Sequence, residues 1–396
     1  MTGDTSMLCE TRFLEIYRTE PDNTAFCPYR VCPLGAHIDH QSGQVTGFAI
    51  DRGIHLAYKA VEEPVVRLAS LNFPGQTAFS LTQIPEKQND WADHLRGAAM
   101  VLGEAYPLTR GLDGVLEGTL AVGGISSSAA VILVFLTALC RVNGITLTDR
   151  EKITLARAAE NRYVGVACGK LDQSCEVLCR KDQLLHLDNL DDSFVSIPRP
   201  SSMKPYQIGI FFSGLERSLA SSRYNLRVDE CRAAAYSLLA FGGIDYDKFG
   251  STVLREVPEE LFVTYGDRLP SPFRKRAVHY FGEMARVQAG VDAWKRGDMD
   301  AFGQLCFESG QSSVENYECG CPELIAMYEI LRSTKGVYGG RLSGAGFKGC
   351  CMALIDPAYG EDIRASVTAA YSKAFPALTE KFSITYCNTA DGVGGI

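Results

Sequence analysis

A chain of 396 residues is too long for one ordinary hydrophobic core and requires two domains or a large composite fold. Apolar residues make up 46% of it and charged residues 22%, the balance of an ordinary soluble globular protein. A net charge of -8 argues against a nucleic-acid or anionic-membrane partner, yet leaves room for a local basic pocket that takes one small anion. The longest apolar run is about a dozen residues, short of the roughly 20 that span a bilayer. The opening MTGDTSMLCETRFLEIY carries acidic residues and no long apolar core, so no secretory signal is expected. Fourteen cysteines without such a signal read as reduced packing thiols of a cytoplasmic enzyme, and Cys319-x-Cys321 and Cys350-Cys351 lack the spacing of a zinc site.

In chain order, Met7 to Thr19 has helical spacing and Ala25–Val31 reads as a strand. Pro33 to His40 then forms a polar loop. Val45–Ile50, Ile54–Ala60, Val65–Ser70 and Thr77–Leu81 are short β-type runs that suggest an antiparallel sheet. Trp91 to Leu102 predicts a helix and Gly114–Gly118 part of a strand. Gly123-Gly124 followed by Ser126, Ser127 and Ser128 opens an apolar run to Cys140, which Asn143-Gly144 can stop. Because that run is apolar on every side, it predicts a buried helix. Its first turn offers free N–H groups, hydroxyls and the positive end of the helix dipole, which suits a phosphate. Read alone, such a turn is more often a capped core helix with nothing bound.

Arg150 to Val166 predicts a helix containing Glu160, and Ala167–Cys179 joins a glycine turn to a helix that starts near Asp172. Taken singly, Glu160 reads as a solvated helix residue and Asp172 as a structural cap. Leu184–Leu187 reads as a strand. The polar segment Asp188–Lys204 holds the domain boundary, dividing the chain into 1–204 and 205–396. Tyr206–Phe212 is strand-like and leads into a polar loop through Arg217, Arg223, Tyr224 and Arg227. Helices are expected at Val228–Ala240, Glu259–Tyr265, Phe273–Lys295, Met299–Ser313 and Cys321–Ser333. A second glycine-rich loop, Gly339 to Gly349, precedes a strand Cys350–Ile355, a helix Tyr359–Ala374, a strand Ser383–Cys387 and a loose DGVGGI tail.

Separately these loops say little; their order and separation say more. YRVCPLGAHIDH at 29–40, GISSSA at 124–129 and GGRLSGAGFKG at 339–349 resemble the three signature motifs of the GHMP small-molecule kinases, galactokinase branch. AENRYVGVACGKLDQ at 159–173 and SLASSRYNLR at 218–227 resemble further galactokinase blocks, so the likeness covers nearly the whole chain. The resemblance implies a two-domain α+β fold with mixed or antiparallel sheets and packed helices. It implies ATP bound by Gly123, Gly124, Ser126, Ser127 and Ser128, with Gly344, Ala345 and Gly346 closing over it. Ser128 and Glu160 match the family's Mg2+ ligands, a hydroxyl and a carboxylate that suit a hard cation. Asp172 matches the residue at the sugar's anomeric hydroxyl and Arg30 its arginine neighbour. His37, Asp39, Gly169 and Tyr224 match sugar contacts. A monomer is expected.

Two departures bear on the substrate. Galactokinases place a glutamate at the position of Ala36, where it meets the sugar's 6-hydroxyl, and another before the sugar-binding tyrosine, where this chain has Arg223. Losing an acid and gaining a cation at the C6 end suits a carboxylate there. The loop also closely resembles that of plant galacturonokinases. The expectation is therefore a uronic acid 1-kinase, D-galacturonate first. The alternatives are a galactokinase or arabinokinase with altered C6 contacts, and a kinase-like sugar sensor without turnover. Homoserine or mevalonate kinase activity fits less well, and Lys348, where galactokinases have glycine, is unassigned.

Overall fold

The structure is a computed structural model that describes residues 2–120, 123–215 and 221–393, with the backbone alone for 2–6 and 221–223. Of the residues named above, Arg217 lies outside the described residues, as does the side chain of Arg223.

Helix α1 (Thr2–Tyr17) leads to strand β1 (Asn23–Val31) and the long strand β2 (Gln44–Val61). Then come β3 (Val65–Ser70), β4 (Gln76–Ser80), α2 (Asp93–Ala105), β5 (Gly111–Gly118), α3 (Ser127–Val142), α4 (Asp149–Ala159), α5 (Leu171–Leu178), β6 (Gln183–Asp188) and β7 (Phe194–Pro198). The remainder is β8 (Gln207–Phe212), α6 (Ser221–Phe241), α7 (Glu259–Tyr265), α8 (Ser271–Arg296), α9 (Met299–Glu315), α10 (Pro322–Ser333), β9 (Val337–Leu342), β10 (Cys350–Ile355), α11 (Gly360–Ala374), β11 (Ser383–Cys387) and β12 (Thr389–Ala390).

One sheet runs β4-β3-β5-β2-β6-β7, with β1 and β12 also paired to β2; the other runs β11-β8-β10-β9. Pairing is antiparallel except for β3 with β5. The fold is thus the mixed α+β one expected. Where two strands were expected between Val45 and Ala60, one continuous strand appears. Its middle survives Asp51-Arg52-Gly53 because the Asp51 N–H is taken by the Asn388 carbonyl and the irregularity falls as a register shift at Pro28/Tyr29. A side chain at Gly53 would collide with the Cys27 backbone.

Helix α3 is the buried one its sequence predicts: Ile132 to Leu136 are all at most 1% exposed. It packs on α2, β1 and β2, inside one apolar cluster that extends through α8 and the second sheet. Asn143 caps it and Gly144 turns out at φ 65°. Its serine start differs from the expected cap. Ser126 sits at the cap in the left-handed region, φ 67°, ψ 35°, and its side chain makes no capping bond.

Other expectations give way to tertiary contacts. The helix expected to 166 ends at Ala159 in a π-helical turn, Glu160–Val164, closed by Gly165 at φ 86°. Helix α6 begins at Ser221, inside the segment expected to be loop. Val195 and Ile197 pair with β6, making a strand of part of the expected linker. Gly339, Gly340 and Arg341 lie in β9 rather than in the loop, because β10 hydrogen-bonds them. The tail is not loose through Val393: the Gly392 N–H donates to the Cys179 carbonyl at 2.8 Å and that of Val393 to Glu176 at 2.6 Å.

All fourteen cysteines are free, and twelve are buried. Among the described residues no helix is long and apolar enough to cross a membrane.

Candidate active site

Three loops converge between the ends of β1, α3 and α5. Arg30 is the next-to-last residue of β1, and α5 presents Asp172 from its first turn. The Arg30 Nε and Nη2 groups both donate to Asp172 Oδ1, at 2.9 and 2.6 Å. The guanidinium is 4% exposed and the carboxylate 26%, so Asp172 opens outward from a buried cation. Burial works against the charge on Arg30, but the Asp172 carboxylate outweighs it and holds the pKa above its ordinary value.

Arg30 also reaches the phosphate-type loop. Its Nη1 donates to the Gly124 carbonyl at 3.5 Å, and its own backbone N–H to that of Ile125 at 3.2 Å. The second glycine loop closes on the same atoms: Ser343 Oγ donates to the Gly124 carbonyl at 2.6 Å. A Cβ at Gly344 would stand 2.7 Å from Gly124 Cα, and one at Gly349 would collide with Gly123. The two loops therefore meet backbone to backbone, which side chains there would prevent. What remains beside α3 is a cradle of bare backbone at a helix N-terminus, suited to an anion.

The first-motif loop forms the other wall. His37 is held at φ 63° and stacks on Tyr317, ring centroids 4.2 Å apart and planes 9° apart. A Cβ at Gly346 would lie 3.7 Å from His37 Nε2, so the tip of the third loop touches this wall too. Asp39 heads a short 3-10 turn, and its Oδ2 accepts the Leu171 N–H at 3.4 Å. A side chain at Gly169 would collide with that carboxylate. Burial and the neighbouring Asp172 raise the Asp39 carboxyl to about 6. Ala36 is buried, and Tyr224 meets His40 edge-on at 5.9 Å.

Glu160, at the start of the π-helical turn, is 4% exposed and accepts from Gln173 Nε2 and, at 3.3 Å, from Cys168 Sγ. It is no solvated surface residue. Ser127 and Ser128 lie in the first turn of α3.

Several residues here escaped the sequence reading. Gln41 Oε1 accepts the Leu254 N–H at 3.0 Å, which fixes the amide so that its Nε2 donates to His40 Nδ1 at 2.9 Å. His40 Nε2 therefore carries the proton and donates to the Tyr317 hydroxyl at 3.1 Å. His40 stands inside the first motif and could have been singled out; Tyr317 stands in no motif. Behind Asp172, one turn along α5, Glu176 is fully buried, and burial followed by the Asp172 charge pushes its carboxyl well above the usual range. The signal in the sequence was a glutamate set between Cys175 and Val177, in the apolar half of a short helix.

The chain matches the GHMP kinases N terminal domain over residues 93–180 and the GHMP kinases C terminal region over 291–373. It is 39% identical over 372 residues to a galacturonokinase of Arabidopsis thaliana, covering 88% of this chain and 87% of that one. It is 33% identical over 395 residues to a galactokinase of Roseiflexus sp., covering 99% and 97%. The Lactococcus lactis galactokinase, solved in complex with galactose, superposes with a TM-score of 0.89 at 26% identity, covering 99% of both chains. The Methanococcus jannaschii mevalonate kinase shares the fold, with a TM-score of 0.63 at 14% identity over 93% of this chain and 98% of that one. The arginine–aspartate pair, the bare glycine cradle and these likenesses agree: the chain belongs to the GHMP kinase family and is a phosphotransferase.

Proposed function

We propose that the chain is an ATP-dependent sugar 1-kinase whose acceptor is the anomeric hydroxyl of a uronic acid, D-galacturonate ahead of other sugars. The observation that carries the substrate is Ala36: a small neutral residue stands where an acid would repel a carboxylate at C6. The higher identity to a galacturonokinase than to galactokinases supports the same reading.

In this reading Asp172 Oδ1 is occupied by Arg30, and Oδ2, which accepts no hydrogen bond from the described residues, takes the proton of the sugar's O1. That oxygen then forms its bond to the γ-phosphorus of ATP as the bond to the β–γ bridging oxygen breaks and ADP leaves. Arg30 anchors the Asp172 carboxylate through its two N–H groups and balances charge on the phosphoryl group. The Gly123–Ser128 loop and Gly344–Gly346 hold the phosphates through backbone N–H groups. Ser128 and Glu160 supply the hard oxygen donors that Mg2+ prefers, with Glu160 fixed by Gln173. Bound there, magnesium would neutralise phosphate charge. His37, Asp39, Gly169 and Tyr224 line the sugar.

The test is an ATP-dependent panel of galacturonate, glucuronate, galactose and arabinose. The highest kcat/KM is expected for galacturonate. A preference for galactose or arabinose sinks the uronate reading and leaves the second one, a neutral-sugar kinase, which the likeness to the galactokinases favours.

A further inference from the structure

Helix α8 holds the loop that bears Ala36 and His37 at two consecutive residues. Glu283 Oε1 accepts the Gly35 N–H at 2.8 Å, and His279 Nε2 lies 3.0 Å from the Ala36 carbonyl. The two side chains are one helical turn apart and so project from the same face. Gly35 sits at φ 95°, a conformation that favours glycine, and a Cβ there would crowd the Gln44 carbonyl at 2.7 Å.

The protonation of His279 follows from its neighbours. A carbonyl only accepts, so Nε2 carries the proton; Nδ1 then accepts from Ser312 Oγ at 2.9 Å. Ser309 Oγ donates to Glu283 Oε1 at 2.5 Å, so α9 backs both members of the pair through serines one turn apart. Arg341, from the strand leading into the third glycine loop, donates to Ser309 Oγ at 2.8 Å and Ser313 Oγ at 3.0 Å. It also lies 3.6 Å from Glu283. All these side chains are buried: Glu283, Ser309, Ser313 and Arg341 are 0% exposed and His279 1%. The assembly lies behind the loop and bonds its backbone.

We propose that His279 and Glu283 are positioning residues for the sugar: a two-point clamp that sets Ala36 and His37 at the C6 end of the substrate. This rests on the reading of that loop as the sugar loop. Among the described residues the clamp bonds the first loop directly and reaches the strand into the third loop only through Arg341, so its effect falls on sugar affinity ahead of ATP affinity. The buried Glu283–Arg341 ion pair stabilises little by itself; fixing one loop conformation is the use that explains it.

The experiment compares His279→Ala, His279→Gln and Ser312→Ala in the full chain, with whichever sugar the parent uses best. The glutamine amide nitrogen stands where Nε2 stood and keeps the N–H toward Ala36. For His279→Ala the sugar KM is expected to rise about tenfold with the KM for ATP within about twofold, and His279→Gln to recover most of the loss. Deuterium exchange of the backbone around residues 31–39 should quicken in His279→Ala, with the rest of the chain unchanged. If His279→Ala does not fold, Ser312→Ala carries the test, with a sugar KM raised about threefold at unchanged KM for ATP. An unchanged sugar KM in the folded variant, or equal rises for sugar and ATP, overturns the clamp. Failure of the uronate reading shows separately, as a parent preference for a neutral sugar, and leaves this KM split to be judged on that sugar.

Discussion

Both N–H groups that Arg30 turns toward Asp172 fall on the same oxygen, Oδ1, at 2.9 and 2.6 Å. Side-by-side pairing would have used both carboxylate oxygens. Here Oδ2 stays open on the exposed side, so one oxygen anchors the carboxylate and the other can take a proton. Replacing Asp172 with Asn keeps the shape and one acceptor but removes the base. Turnover is expected to fall by roughly 10²–10⁴ while the fold and ATP binding persist. Steady-state kinetics alongside nucleotide titration checks this, and turnover within tenfold of the parent removes Asp172 from the chemistry.

Gly169 tests the sugar wall without touching a charge. A methyl group there collides with the Asp39 carboxylate and would stand 2.8 Å from the His40 N–H. Gly169→Ala should raise the sugar KM by roughly tenfold or more, since a displaced polar group loses at least one buried hydrogen bond. Its melting temperature should fall as well, because the half-buried Asp39 side chain can shift outward but the His40 backbone at 2.8 Å yields less easily. An unchanged sugar KM would mean that Asp39 does not bind the sugar.

The C6 reading is tested by Ala36→Glu combined with Arg223→Glu, which restores the residue types of galactokinases. An opposed charge pair about 4 Å apart is worth up to ~4 kcal/mol at an effective dielectric near 20, before desolvation. Galacturonate should therefore lose several tens- to thousands-fold in kcat/KM, on the order of 2–4 kcal/mol, while galactose escapes the repulsion. If the galacturonate-to-galactose ratio does not fall, the carboxylate is not read at these positions. The single variants divide the effect between Ala36 and Arg223.

The buried histidines make stability depend on acid. Burial, followed by Arg232, lowers His40 to about 3, and burial lowers His279 to about 4 against its Glu283 neighbour. Groups whose folded pKa is depressed bind more protons when unfolded, so their contribution is complete above the ordinary histidine value of about 6.5 and is lost as pH falls toward those values. Glu283 adds to the same limb further down: burial raises its carboxyl, but Arg286 and Arg341 hold it to about 2. Asp39, raised to about 6, and Glu176, raised well above its ordinary value by burial, act in the opposite direction, while His37, lowered by burial, adds to the histidine limb. The unfolding free energy from urea titration should fall between about pH 6.5 and pH 4, by an amount on the order of 2 kcal/mol per histidine. His279→Gln, which cannot titrate, should flatten that slope; an equal slope in both proteins assigns it elsewhere.

Much of this chain is legible before folding. The buried helix α3 is announced by an unbroken apolar run behind glycines and serines, since no other environment accepts apolar side chains all round. The three motifs bring Arg30, Asp172 and the glycine cradle to notice because each needs particular residue types: bare backbone to approach a phosphate, a cation to pair with a carboxylate. Even the departure at Ala36 is a statement of charge, which is local and additive.

What the tertiary structure decided are relations between distant segments. Glu160 changed from a surface residue to a buried one because a π-helical turn rotates it toward Gln173 and Cys168, and no local propensity encodes that rotation. Gly339 to Arg341 became a strand because β10 offers a hydrogen-bonding edge. Gly392 and Val393 are tied down by the carbonyls of Cys179 and Glu176, more than 200 residues earlier. The clamp of His279 and Glu283 on Gly35 and Ala36 joins positions 243 and 248 residues apart. In the sequence those two residues are an unremarked pair on an amphipathic helix. A hydrogen-bond partner is a fact about position in space, and periodicity and composition specify only which face a side chain occupies.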